Sequence, residues 1–224
     1  MLLRLFQQYR WLPFVLPLSL FLLLTSFEQA LGSSFYPLIY SVKTIMLAGI
    51  LWRTRSIYSD LNRNSQGVSI GLLLGPALTV GWVVIDRYTP HFRFMGARSA
   101  YDPFTAIHNV PLCWLFIAVR FFGLTMIAPI IEELFYRAFL PRLVINQNNF
   151  ISVPLGQFDT PAFIAVVVLM ASSHPEYLAA AVFSAVMNLI LMKTRNLWAT
   201  VAAHGSTNFF LGVYVLVFHA WKYW

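Results

Sequence analysis

Seven stretches of predominantly apolar residues, 11–27, 37–52, 68–85, 111–128, 161–173, 177–192 and 197–218, constrain this chain more than any other feature. Most are close to the roughly 17–25 residues that a helix needs to cross a hydrocarbon core, although several are short. In lipid every backbone N–H and C=O has to be satisfied within its own segment, so such runs become helices. The fold expected is all-α: a polytopic transmembrane helical bundle of about 7–8 helices, forming one membrane domain over residues 1–224. Composition agrees, with 59% hydrophobic and 10% charged residues against about 45–50% and about 25% in soluble domains.

The formal charge of +7 would suggest nucleic acid in a soluble protein. Here the arginines stand mainly between apolar runs, where they meet anionic headgroups and orient helices, so nucleic acid is not an expected partner and membrane lipid is. Arg4 and Arg10 precede the first run, and Arg53, Arg55 and Arg63 follow the second, which places the N-terminus in the cytoplasm. Arg137, Arg142, Lys193 and Arg195 agree with that orientation, whereas Arg87, Arg93 and Arg98 oppose it. Cys113 is the only cysteine, which leaves no disulfide framework and no cysteine-based zinc site. The first run is longer than a signal-peptide core and lacks a small-x-small cleavage site, so it is read as a retained helix. The connection 86–109 is long and aromatic, suited to lie on the membrane surface as a rim. Pro129 at the end of the fourth run predicts a kink or restart, followed by a partly embedded helix over 129–143.

Chemistry is expected where ionisable side chains interrupt the apolar runs, because each costs about 2.5–3.5 kcal/mol on insertion scales. Glu132-Glu133-Leu134-Phe135-Tyr136-Arg137 is one such place. Glu133 and Arg137, at i and i+4, can pair on one helix face. Glu132 stands about 100° away. In an apolar cavity it would serve as a general base on water; the alternative is that both acids face the aqueous loop beside Arg137 and Arg142. His174 ends a short apolar run in Met170-Ala171-Ser172-Ser173-His174-Pro175. In His204-Gly205-Ser206-Thr207-Asn208, His204 and Asn208 share a face while Gly205 admits a neighbouring backbone. Lys43 reads as a snorkelling lysine, and Arg120 as the partner of a carboxylate or an outer headgroup. There is no H-E-x-x-H.

Taken together these segments resemble the three motifs of the CAAX-protease and bacteriocin-processing (CPBP) superfamily of intramembrane proteases. Glu132, Glu133 and Arg137 match its EExxxR motif, and His204 and Asn208 its HxxxN motif. His174 matches FxxxH, with Met170 in the place of the phenylalanine. The resemblance covers about 128–210, inside a motif-bearing core of about 111–218. It implies an intramembrane endopeptidase that cuts in or near a membrane-anchored segment. Glu132 with His174 would activate water, Glu133 and Arg137 would support the catalytic glutamate, and His204 and Asn208 would stabilise the oxyanion. A hydrophobic or lipidated peptide is the implied substrate. No cofactor is expected, although two histidines and two glutamates leave zinc open. The short, membrane-embedded chain also resembles a bacterial subgroup found with exosortase systems, which implies a bacterial cytoplasmic membrane and an exosortase-type partner. The competing expectation is a non-catalytic membrane scaffold or immunity-type protein that keeps the polar cluster for packing.

Overall fold

A computed structural model describes residue 6 and residues 8–58, 65–92 and 100–224; Arg4, Arg63, Arg93 and Arg98 lie outside the described residues. Among those described, the helices are α1 (Leu12–Leu31), α2 (Tyr36–Thr54), α3 (Ser65–Tyr88), the single turn α4 (Pro103–Ala106), α5 (Val110–Ile145), α6 (Thr160–Ser172), α7 (Tyr177–Thr194) and α8 (Leu197–Phe218). No strand occurs among them. The starts follow from local chemistry. Asn109, Asp159 and Asn196 accept from Leu112, Ala162 and Trp198 backbone N–H groups at 2.9–3.0 Å, and Pro111 and Pro161 fill first-turn positions that need no donor.

Four of these helices, Gly67–Tyr88, Val110–Ile145, Tyr177–Thr194 and Leu197–Phe218, are long and apolar enough to cross a membrane, and two shorter helices are also apolar. Their outward faces carry Leu73 (79% exposed), Val80 and Val217, a surface that only lipid would solvate. The protein is an integral membrane protein built as a helical bundle.

The helix α5 passes Pro129 without the restart that the proline allowed. It runs unbroken for 36 residues, about 54 Å at 1.5 Å per residue, and it takes the prolines into wide turns. A π-helical turn over Gly123–Ile127 precedes Pro129, and a second over Leu134–Phe139 precedes Pro141. A proline ring collides with the carbonyl four residues back; a turn with i→i−5 bonding, such as Ala128 N–H to Gly123 O, makes room for it without breaking the helix. The segment between the two π turns carries both glutamates.

A proline inside a helix also orphans a carbonyl, and α8 answers two such cases. Pro129 cannot donate to Leu124 O, which accepts from Asn208 Nδ2 at 2.9 Å. Pro76 inside α3 cannot donate to Leu72 O, which accepts from Ser206 Oγ at 2.9 Å. In a membrane this is how a broken backbone ladder is re-satisfied. It fixes α8 in register against both neighbours.

The α3–α8 contact is the closest in the bundle. A Cβ at Gly67 would lie 2.7 Å from Ala199 Cβ, and one at Gly71 2.9 Å from Ala203 N; Gly75 faces Ser206. The pairs ascend together, so the two helices run parallel. The Gly67-x3-Gly71-x3-Gly75 spacing is the small-xxx-small pattern of close helix pairs. Helix α5 crosses α8 the other way, with Thr125 against Gly205 and Phe121 against Gly212.

Two buried cations find partners inside the bundle. Lys43 is 3% exposed and pairs with Glu28 at 2.9 Å rather than snorkelling out. Among the described residues no carboxylate pairs with Arg120; its guanidinium lies 4.7–5.5 Å from the rings of Tyr36, Tyr40 and Trp224, where the aromatic faces stabilise the charge. Cys113 is buried, with Sγ 3.4 Å from Pro103 O.

At the end of α3, Asp86 receives Lys222 Nζ at 2.8 Å and the Tyr223 hydroxyl. Burial first, then the hydrogen bond to Asp86, pushes that hydroxyl up to about 12. A raised value contributes stability that is intact below the ordinary tyrosine value of about 10 and is lost as pH climbs through the folded one. The stability gap between the protein and Tyr223→Phe should therefore be steady up to about pH 10 and close by about pH 12. Unfolding midpoints in detergent read it directly, and a gap that survives at the alkaline end would refute the assignment.

Candidate active site

The adjacent glutamates diverge as two neighbouring helical positions must. Glu133 points inward and is 1% exposed. Its Oε1 lies 2.9 Å from His204 Nδ1, and its Oε2 3.4 Å from Arg137 Nε. The expected i,i+4 pair is present, and His204 from α8 completes it. The alternative of both acids facing an aqueous loop does not hold for a carboxylate this deep.

Arg137 is fully buried and gathers three helices. Besides Glu133 on α5, Nη2 reaches Met170 Sδ on α6 at 3.6 Å and Ser184 Oγ on α7 at 3.4 Å. Met170 is 1% exposed, so the residue that replaces the motif phenylalanine is a wall of the guanidinium pocket. A thioether supplies a weak acceptor where a phenyl ring would supply a π face. Ser184 carries no signal in the sequence, since a lone serine in an apolar helix is commonplace.

Glu132 is the less enclosed acid, its side chain 15% exposed, and its Oε2 stands 3.9 Å from His204 Nε2. That is too long for a hydrogen bond and of a size that one small group bridges from the side. Among the described residues this buried oxygen has no hydrogen-bond partner. His204 thus presents its two nitrogens to the two glutamates: Nδ1 is held by Glu133 and Nε2 is turned to Glu132. A carboxylate on Nδ1 fixes the orientation of the ring.

His174, at the end of α6, is joined to this cluster through rings. Its imidazole meets Trp82 edge-on at 5.9 Å, Trp82 meets Phe183 at 5.9 Å, and Phe183 meets His204 at 5.0 Å. Trp82 lies on α3, outside the motif-bearing segment, and was not anticipated. The Nδ1 of His174 is 2.9 Å from Met170 O. A carbonyl only accepts, so Nδ1 carries the hydrogen and Nε2 is the basic nitrogen.

Asn208 shares the face of His204, as its i+4 spacing requires, yet one amide hydrogen is committed to Leu124 O. Gly205 lies against the Thr125 carbonyl, which brings α5 close enough for Glu133 to reach His204. Zinc would require at least three protein ligands; among the described residues no three His, Cys, Asp or Glu side chains form such a group.

An acid–base cluster of this kind, enclosed by lipid-facing helices, has the groups that hydrolysis within a membrane would use. Residues 112–210, somewhat less than half of the chain, match the family model described as Rce1-like, type II CAAX prenyl endopeptidase Rce1-like. The matched segment contains all three motifs, so this part of the chain is similar to the CPBP/CAAX-protease superfamily of membrane peptidases. Neither a curated protein nor a solved structure matches the chain.

Proposed function

We propose that this protein is a glutamate-dependent intramembrane endopeptidase, with Glu132 as the base that activates water. The observation that carries the reading is the 3.9 Å opening between Glu132 Oε2 and His204 Nε2, in a bundle whose other carboxylate at this level is engaged by Arg137 and His204. Glu132, assisted by His174, accepts a proton from water as the water oxygen bonds to the scissile carbonyl carbon. The oxyanion forms beside Nε2 of His204, and the second amide hydrogen of Asn208 is a donor for it. The C–N bond then breaks, and Glu132 passes its proton to the departing amine, leaving a carboxylic acid and an amine. Glu133 and Arg137 hold the imidazole. No step passes through a metal.

The substrate is read as a hydrophobic or lipidated peptide that reaches the site from the membrane. The arginine bias of the short loops supports a cytoplasmic N-terminus, and the resemblance supports a bacterial cytoplasmic membrane with an exosortase-type system as partner. The test is cleavage of a membrane-anchored peptide library by purified protein in detergent. Glu132→Gln should lower the rate by about 10²–10⁴-fold while thermal unfolding stays unchanged. Undiminished cleavage by this variant overturns the mechanism.

A further inference from the structure

The geometry points to Tyr136 as a positioning residue that acts on His174 through Ser173; the inference rests on the peptidase reading above. Tyr136 lies one turn after Glu132 on α5, is 5% exposed, and packs edge-on against Phe135 at 5.1 Å. Its hydroxyl is 3.3 Å from Ser173 Oγ at the end of α6. Ser173 Oγ is in turn 3.0 Å from His174 Nδ1 and 2.8 Å from Met170 O.

The donors can be assigned by elimination. Met170 O only accepts, so Ser173 spends its one hydrogen on it and has only lone pairs left. The Tyr136 hydroxyl therefore donates to Ser173, and the Nδ1–H of His174 points between Ser173 Oγ and Met170 O. On another side Trp82 bounds the imidazole. The Nδ1 edge, and with it the direction of the basic Nε2, is thus set by a chain of hydrogen bonds that begins on the helix of the two glutamates.

This chain links two segments that the reaction needs in fixed relation. Ser173 is exposed at a helix end, where a serine side chain has several rotamers open to it. The tyrosine hydroxyl selects the one that supports the imidazole. Orientation of a histidine through the group on its other nitrogen is a general way to set its tautomer. Tyr136 occupies one of the unspecified positions within the EExxxR spacing, so the motif match says nothing about it.

Two measurements test the inference. In full-length protein labelled with 15N-histidine, the spectrum should show His174 with hydrogen on Nδ1, identified by its disappearance in His174→Gln. Tyr136→Phe, which keeps the ring and removes the hydroxyl, should turn this into a tautomer mixture with faster Nδ1–H exchange. In the cleavage assay, Tyr136→Phe and Ser173→Ala should each lower kcat by about 10-fold with KM within about twofold, the size usual for residues that orient a histidine. The double variant should be no worse than either single one, and Ser173→Thr should keep the activity. An unchanged His174 tautomer in Tyr136→Phe overturns the positioning role, whether or not the protein cleaves the chosen peptide. Multiplying losses in the double variant, or a kcat loss that tracks a fall in unfolding temperature, also overturns it. A tautomer change without cleavage by the unmodified protein leaves positioning intact and counts against the peptidase reading alone.

Discussion

Arg137→Met is expected to destabilise the folded protein by about 3–5 kcal/mol, the size found when one partner of a buried ion pair is removed. The reason is what remains rather than what is lost. Glu133 would keep a charge in a fully enclosed position, with Oε2 facing no cation, and Ser184 and Met170 would lose the group that joins them. Replacing both partners, Glu133→Gln with Arg137→Met, should recover most of the loss, because an apolar or neutral pair of similar volume has no unpaired charge. The double variant should nonetheless stay inactive in cleavage, since His204 Nδ1 no longer has a carboxylate to hold it. Thermal unfolding of the four proteins in one detergent closes the cycle. If Arg137→Met alone unfolds at the temperature of the unmodified protein, the assignment of Arg137 as the tie between α5, α6 and α7 fails.

Gly71→Leu should have the other large effect, a loss of folded protein rather than of chemistry alone. A Cβ at this position would stand 2.9 Å from Ala203 N and 3.2 Å from Ala202 Cβ, with the Ala199 carbonyl closer still. The obstacles are largely backbone, which cannot rotate aside. The cost should reach or exceed the upper end of the about 1–3 kcal/mol usual for overpacking. Any shift that relieves it moves the residue before His204, so variant molecules that do fold should cleave poorly. Gly81→Leu, on the same helix with open space around it, is the control and should leave both unfolding temperature and cleavage unchanged. Equal behaviour of the two variants would contradict the parallel α3–α8 packing.

Much of the helical frame was legible before any coordinates. The run 197–218 coincides with α8 at both ends, and 177–192 and 161–173 fall within two residues of α7 and α6. Such agreement follows from lipid, which leaves a long apolar segment no state other than a helix. The Glu133–Arg137 pair was also legible, since i,i+4 neighbours meet on any helix. The paths through Pro129 and Pro141 were not: a proline signals a lost donor, but whether the helix restarts or continues through a π turn depends on what packs beside it. The close pairing of α3 with α8 had a signal in Gly67, Gly71 and Gly75, which identifies a sticky face without naming its partner.

What the sequence by itself determined is therefore the helices, their apolar environment and the faces on which the polar side chains stand. Only the tertiary structure decided that Glu133 and not Glu132 holds His204 Nδ1, that Asn208 and Ser206 serve carbonyls orphaned by prolines, and that Trp82 from the first half bounds His174. The physical reason is that periodicity fixes which residues share a face of their own helix, whereas the sliding and rotation of one helix against another are set by close contacts between distant small residues.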